Sequence, residues 1–129
     1  MKIIMIKKII LLGLIISNGF LLSSGDLRLI EAIKNNNLDL AKELIEKHEV
    51  NKIDLNAKDV YGETALIRAC RYAYIEIAQM LIDFGANLNI QNRYGDTALM
   101  LACWDGHIEI AKMLINAGAN LNIQYNYGK

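Results

Sequence analysis

The sequence predicts an all-α repeat solenoid, and three observations predict it. Residues 57–89 and 90–122 are near copies, with 19 identities in 33 aligned positions. Each copy holds two stretches rich in small or apolar residues, from Ala65 to Arg71 and from Ile75 to Asp83 in the first copy. Each copy also closes on the same segment, Gly85-Ala86-Asn87-Leu88-Asn89 and Gly118-Ala119-Asn120-Leu121-Asn122. A fixed period of this length means stacked supersecondary units, none able to bury its apolar face alone. Such stacks present surfaces, so function is sought on a surface before it is sought in a catalytic centre.

Taken from the N-terminus, residues 1–25 differ in kind from the rest. Lys2, Lys7 and Lys8 precede the apolar run Ile9 to Ile16, and Ser17, Gly19, Ser23, Ser24 and Gly25 follow it. A positive end, a short apolar run and small residues are the layout of a secretory signal peptide. Cleavage after Gly19 or after Gly25 fits, although neither site carries alanines. Two other readings stay open: an uncleaved signal anchor, whose span is interrupted by lysines and Ser17-Asn18, and a helix packed on the repeats. The protein is therefore expected to be exported, to the periplasm or beyond, or else anchored in a membrane by this segment.

Residues 26–56 form a degenerate first unit. Leu29-Ile30-Glu31-Ala32 aligns with Leu66-Ile67-Arg68-Ala69, and Leu38-Asp39-Leu40-Ala41 with Ile75-Glu76-Ile77-Ala78. Four extra residues within Lys47–Asp54 precede the return to register at Leu55-Asn56. In the next unit, Thr64 is placed to cap a first helix with its hydroxyl, and Ile77, Ala78, Leu81 and Ile82 give a second helix one apolar face. Gly85 follows where a left-handed residue costs a glycine little. Leu88 and Ile90 alternate with Asn89 and Gln91 in an arm that Tyr94-Gly95 turns back. Thr97 then opens the same sequence of elements again. Residues 123–129 begin a further unit, with Ile123-Gln124 and Tyr127-Gly128 repeating Ile90-Gln91 and Tyr94-Gly95.

The two good copies resemble the ankyrin repeat. The family pattern is matched at Asp59, Gly62, Thr64, Leu66, Ala69, Glu76, Ile77, Leu81, Gly85, Ala86 and Asn89. The next copy matches it at Gly95, Thr97, Leu99, Ala102, Gly106, His107, Glu109, Ile110, Leu114, Gly118, Ala119 and Asn122. The family's proline is replaced by Ala65 and Ala98, and its first histidine by Ile67 and Met100, which removes the Thr–His hydrogen bonding. The resemblance implies stacked helix-turn-helix repeats joined by β-hairpin-like loops, over roughly residues 26–129. It also implies a non-catalytic protein-protein interaction module, gripping its partner by the hairpin tips and the concave helix face. The matching positions are Val60, Glu63, Arg71 and Tyr72 in one repeat and Arg93, Asp96, Trp104 and Asp105 in the next. Tyr61 and Tyr94 recur in register and suit hairpin structure, whereas Val60/Arg93, Arg71/Trp104 and Tyr72/Asp105 differ freely. Trp, Tyr and Arg are the types that dominate binding hot spots, which makes Trp104 the first candidate.

Charge and chemistry narrow the classes. The chain has 14 basic and 14 acidic residues, and loss of the three leader lysines leaves 11 against 14. That balance lacks the basic stripe that nucleic acid needs. Cys70 and Cys103 sit at equivalent positions about one helix diameter apart, too far for a disulfide. They read as two small buried residues filling the seam, and a zinc site with His107 lacks a fourth ligand. No glycine-rich phosphate loop or nucleophile elbow is present, and His48 and His107 have no catalytic company. The chain reads as no enzyme, with no cofactor and no metal. Finally, Ile108, Ile110, Ala111, Met113, Leu114 and Ile115 copy an interior repeat, so the C-terminal end is expected to be apolar and bare. A truncated longer ankyrin protein, self-association through that end, and a partner docked on it each account for such an end. The alternative function is accordingly a membrane-tethered or self-associating scaffold.

Overall fold

A computed structural model of the chain describes residues 26–125, so the leader segment and residues 126–129 lie outside the described residues. Seven helices follow in order: α1 Arg28–Lys34, α2 Leu38–Glu46, α3 His48–Asn51, α4 Ala65–Arg71, α5 Ile75–Asp83, α6 Ala98–Trp104 and α7 Ile108–Asn116. The described residues contain no strand. The pairs α1–α2, α4–α5 and α6–α7 each fold back on themselves, and the pairs stack in two rows. The first helices α1, α4 and α6 form one row, and the second helices α2, α5 and α7 form the other. This is the all-α repeat solenoid.

Local chemistry sets each element. Thr64 Oγ1 accepts the amide of Ile67 at 3.2 Å and Thr97 Oγ1 that of Met100 at 3.3 Å, capping α4 and α6. Asn37 Oδ1 accepts from the Leu40 amide at the start of α2. Within each pair the chain turns through one left-handed residue: Asn36 (φ 56°), Ala73 (φ 57°) and Gly106 (φ 72°). The amide after it then reaches back into the first helix, Asn37 to Ala32, Tyr74 to Ala69 and His107 to Ala102, at 2.8–2.9 Å. The second helices of the two good repeats end on Gly85 and Gly118. The four additional residues of the first unit form α3, a single helical turn ending on left-handed Lys52.

A single apolar core runs through the stack. Leu29, Ile30, Ile33, Ile45, Leu66, Ile67, Cys70, Ile77, Leu81, Ile110 and Leu114 are all at most 2% exposed. Such short helices gain their stability from these neighbour contacts. Between repeats, asparagine side chains add a lateral ladder. Asn56 Oδ1 accepts the Asn87 amide at 2.7 Å, and Asn89 Oδ1 accepts the Asn120 amide at 2.8 Å. Lys42 and Glu76, 2.7 Å apart, join the first two units on the outside.

The two cysteines correct the sequence reading. Cys70 is fully buried in the seam, as expected, but Cys103 is exposed. Burial at this position comes from the next repeat: α6 and α7 pack over the repeat that carries Cys70, whereas among the described residues no further helix pair packs over Cys103.

Candidate functional site

The loops between repeats build the surface. Asp59 and Asn92 each organise one hairpin from its base. Asp59 Oδ1 accepts the amides of Tyr61 and Glu63, and Asn92 Oδ1 those of Tyr94 and Asp96, all at 2.9–3.0 Å. Tight turns at Gly62 and Gly95 complete the tips. The hairpins dock on each other, since the Arg93 amide donates to Tyr61 O at 3.0 Å and Arg93 Nη1 to Val60 O at 3.2 Å. Gly62 is needed there: a Cβ would lie 3.1 Å from the Arg93 nitrogen, at a positive φ.

Beneath the first tip lies an ionic cluster. Arg68 Nη2 donates to Asp59 Oδ2 at 2.7 Å, and Arg68 Nη1 reaches Tyr72 Oη at 3.4 Å. Arg68 Nε sits 2.8 Å from Glu63 Oε2 as an ion pair, off the line of a hydrogen bond. Arg71 Nη2 pairs with Glu63 Oε1. The Arg68 guanidinium also lies 5.8 Å from the centre of the Tyr61 ring. Burial opposes ionisation of Asp59, but the hydrogen bonds from Arg68 and from the Glu63 and Tyr61 amides outweigh it, holding this carboxyl below its ordinary range. Burial likewise opposes the charge on Arg68, and Asp59 and Glu63 together overcome it. A shallow depression of about 350 Å³ opens over the cluster, lined by Tyr61, Glu63, Arg68, Arg71 and Tyr94.

The next repeat lacks these cations. Leu101 and Trp104 stand where Arg68 and Arg71 stand, and Asn92 replaces Asp59. Asn92 Nδ2 bridges Glu63 Oε1 at 3.4 Å and Asp96 Oδ2 at 3.3 Å. Asp96 Oδ1 is buried without a donor. Trp104 stacks flat on Tyr125, with ring centres 5.1 Å apart and planes 3° from parallel, and it remains 59% exposed.

The candidate residues from the sequence therefore separate into two groups. Val60, Tyr72, Arg93, Trp104 and Asp105 are exposed and Arg71 is half-buried, all available to a partner. Glu63 and Asp96, at 3% and 8% exposure, lie inside and brace the hairpins instead. Their corrected role follows from the inward turn of their side chains toward Arg71 and Asn92. Arg68, Asp59 and Asn92 were missed as site residues. The signal was there in the paired exchange of Asp59 with Arg68 for Asn92 with Leu101, where an acid and a base vanish together.

A family model described as ankyrin repeats (three copies) matches residues 20–125. The chain belongs to the ankyrin-repeat family. Among solved structures it is similar to an ankyrin repeat domain from Acinetobacter baumannii AYE, at 39% identity and a TM-score of 0.69. That match covers 78% of this chain, which spans half the length of the solved one. No curated protein matches the chain. Ankyrin-repeat domains are in general non-catalytic protein-protein interaction modules. Among the described residues, no helix is long and apolar enough to cross a membrane.

Proposed function

We propose that this protein is an exported interaction module that holds a protein partner along its hairpin tips and the exposed ends of its first helices. The observation carrying this reading is the run of exposed aromatic side chains along one edge: Tyr61, Tyr72, Tyr94 and Trp104, each 40–59% exposed. Arg71 and Arg93 lie among them. Aromatic and arginine side chains make the strongest anchors in interfaces, and these project from a backbone fixed by hairpin docking and by the ionic cluster beneath. An exposed aromatic edge on a rigid repeat scaffold suits a folded protein surface better than a small molecule, because the depression over the cluster is shallow.

The test has two parts. Partners captured by the wild-type protein are re-measured against an Arg93→Ala/Trp104→Ala variant. Affinity should fall at least tenfold, about 1.4 kcal/mol or more, and unchanged affinity refutes this surface. Export is tested by the intact mass of the native protein in separated cell fractions. A mass short by the leader, outside the cytoplasm, supports it. A full-length mass in the membrane favours a tethered scaffold, and a full-length mass in the cytoplasm defeats export.

A further inference from the structure

The hairpins turn their acids inward and their bases outward. Residues 57–64 carry Lys58, Asp59 and Glu63 as their charged groups, and residues 90–97 carry Arg93 and Asp96. The Asp59 and Glu63 side chains are 8% and 4% exposed, and Asp96 is buried. Lys58 and Arg93 are exposed, and among the described residues neither faces an acid in an ion pair. The second helices have the opposite balance. On α2, α5 and α7 the exposed acids are Asp39, Glu43, Glu46, Glu76, Asp83 and Glu109, against two lysines, Lys42 and Lys112. Along the first helices, Glu31 is matched by Lys34 at 3.7 Å, and Asp105 in the last repeat is the exposed acid that departs from the pattern. The molecule is thus polarised, with its positive side on the hairpins.

The depression beside the first tip has the same bias in its hydrogen bonds. Asp59 is filled by two amides and by Arg68. Glu63 Oε1 accepts from Arg71 and, at 3.4 Å, from Asn92. Glu63 Oε2 and Arg68 Nε, 2.8 Å apart, answer each other as an ion pair. The capacity left over is donor capacity. Arg71 gives a single N–H of its fork to Glu63, and the others meet no acceptor among the described residues. Its side chain is 36% exposed and lines the depression with Tyr61 and Tyr94. An arginine with an open edge is suited to a carboxylate, which takes two parallel N–H···O bonds. Glu63 already holds the guanidinium, so less side-chain freedom is lost on contact. Tyr61 and Tyr94, 47% and 58% exposed, offer ring surface to the methylenes of an acidic side chain. A basic side chain entering here would meet the like charges of Arg71 and Arg93, with the carboxylates of the cluster already taken.

We propose that the depression seats an acidic side chain, a glutamate or aspartate of the protein partner, on the open edge of Arg71 between Tyr61 and Tyr94. This rests on the reading of the hairpin edge as a partner surface and names the charge of what it grips. The partner's contacting segment is acidic, and Lys58 and Arg93 steer it toward the tips.

The test titrates the full chain with two fluorescent peptides of equal length, one carrying glutamates and the other glutamines at the same places. At low salt the glutamate peptide should bind about tenfold more tightly or better, and the gap should close as salt screens it. Arg71→Gln keeps a donor for Glu63 and should weaken the glutamate peptide about fivefold or more. Lys47→Gln removes the same charge just beyond α2 and should leave that affinity unchanged. In the wild type, the Nε–Hε resonance of Arg71 should move with the glutamate peptide and stay still with the other, a readout that needs no variant. The proposal is overturned if the peptides bind equally, if neither binds, or if the resonance ignores both. Equal losses in the two variants overturn it too, because net charge alone would then explain the binding. A captured partner that loses affinity in Arg93→Ala/Trp104→Ala but not in Arg71→Gln removes the acidic seat and leaves the partner surface standing. One indifferent to all three substitutions removes both.

Discussion

The middle and last repeats share most of their residues and differ in what those residues experience. Cys70 sits at 0% exposure, and Cys103, one period later, faces solvent. Glu63 is held by Arg68 and Arg71, while Asp96 keeps a buried oxygen without a donor. Ala73 and Gly106 make the same turn with different backbone freedom. Burial in a stack is thus a property of the seam and not of the residue, because half of each repeat's core is supplied by its neighbour. Identical sequence therefore predicts different stabilities and reactivities, and paired substitutions can measure the difference.

The largest contrast should be in thiol chemistry. Burial pushes the Cys70 thiol up to about 12, so only about one part in ten thousand is thiolate at pH 8, and the thiolate is the reactive form. A disulfide reagent should modify one thiol per chain in native buffer, at Cys103, and both in denaturant. Two fast thiols in native buffer would show that the seam opens readily. Next in size is a matched charge insertion. Ala78→Glu forces a carboxylate into a fully buried site and should destabilise by about 3 kcal/mol or more. Ala111→Glu meets solvent and should cost less than about 1 kcal/mol. Equal shifts in urea midpoints would mean that the last repeat's face is covered after all.

A third contrast concerns the ionic cluster. Arg68→Leu copies the last repeat's Leu101 but strands Asp59 and Glu63, and removing one partner of a buried pair costs about 3–5 kcal/mol. Adding Asp59→Asn, which copies Asn92, should recover a large part, because the carboxylate that lost its partner is gone. A double substitution no better than the single would show that Asp59 matters through its hairpin amides alone. Acid provides a second handle. The folded Asp59 carboxyl titrates below its ordinary value, so above about pH 4 its contribution to stability is fully present. As pH falls through the folded value, protonation removes it. Melting temperature should drop on acidification below about pH 4, less steeply in Asp59→Asn than in wild type.

Much of this fold was legible because the information was local and repeated. The helices from Ala65 to Arg71 and from Ile75 to Asp83, the threonine caps and the glycine at position 85 follow from periodicity and backbone chemistry within a few residues. Ile108 and Ile115 copy interior residues with no polar exchange, and among the described residues both are exposed. What escaped depends on side-chain direction. Glu63 and Asp96 sit beside exposed hairpin tips in sequence but turn inward, toward Arg71 and Asn92. Arg68 lies inside an apolar helix where an arginine is expected to reach for solvent, and only its joint exchange with Asp59 betrayed the pairing. The four extra residues form a helical turn that nothing in their pattern announced: His48, which begins it, donates from Nδ1 to Ile45 O, 2.8 Å away, and packs edge-on against Phe84.

The smallest contrast is also the cleanest. Ala73 and Gly106 occupy the same turn, at φ 57° and 72°, with the same 3.3 Å amide bond back to Cys70 and Cys103. A left-handed alanine costs about 1–2 kcal/mol through its Cβ, while glycine loses about 0.4–1 kcal/mol more chain entropy on folding. The first quantity exceeds the second, so Ala73→Gly should stabilise the protein by about 0.5–1 kcal/mol. Gly106→Ala should destabilise it by a similar amount. At Gly106 an added Cβ meets nothing within 4 Å, so that cost would be purely conformational. Chemical denaturation of both variants checks the pair. If Ala73→Gly lowers stability while Gly106→Ala behaves as expected, the alanine methyl is contributing packing in the middle repeat that the last repeat's open end cannot offer.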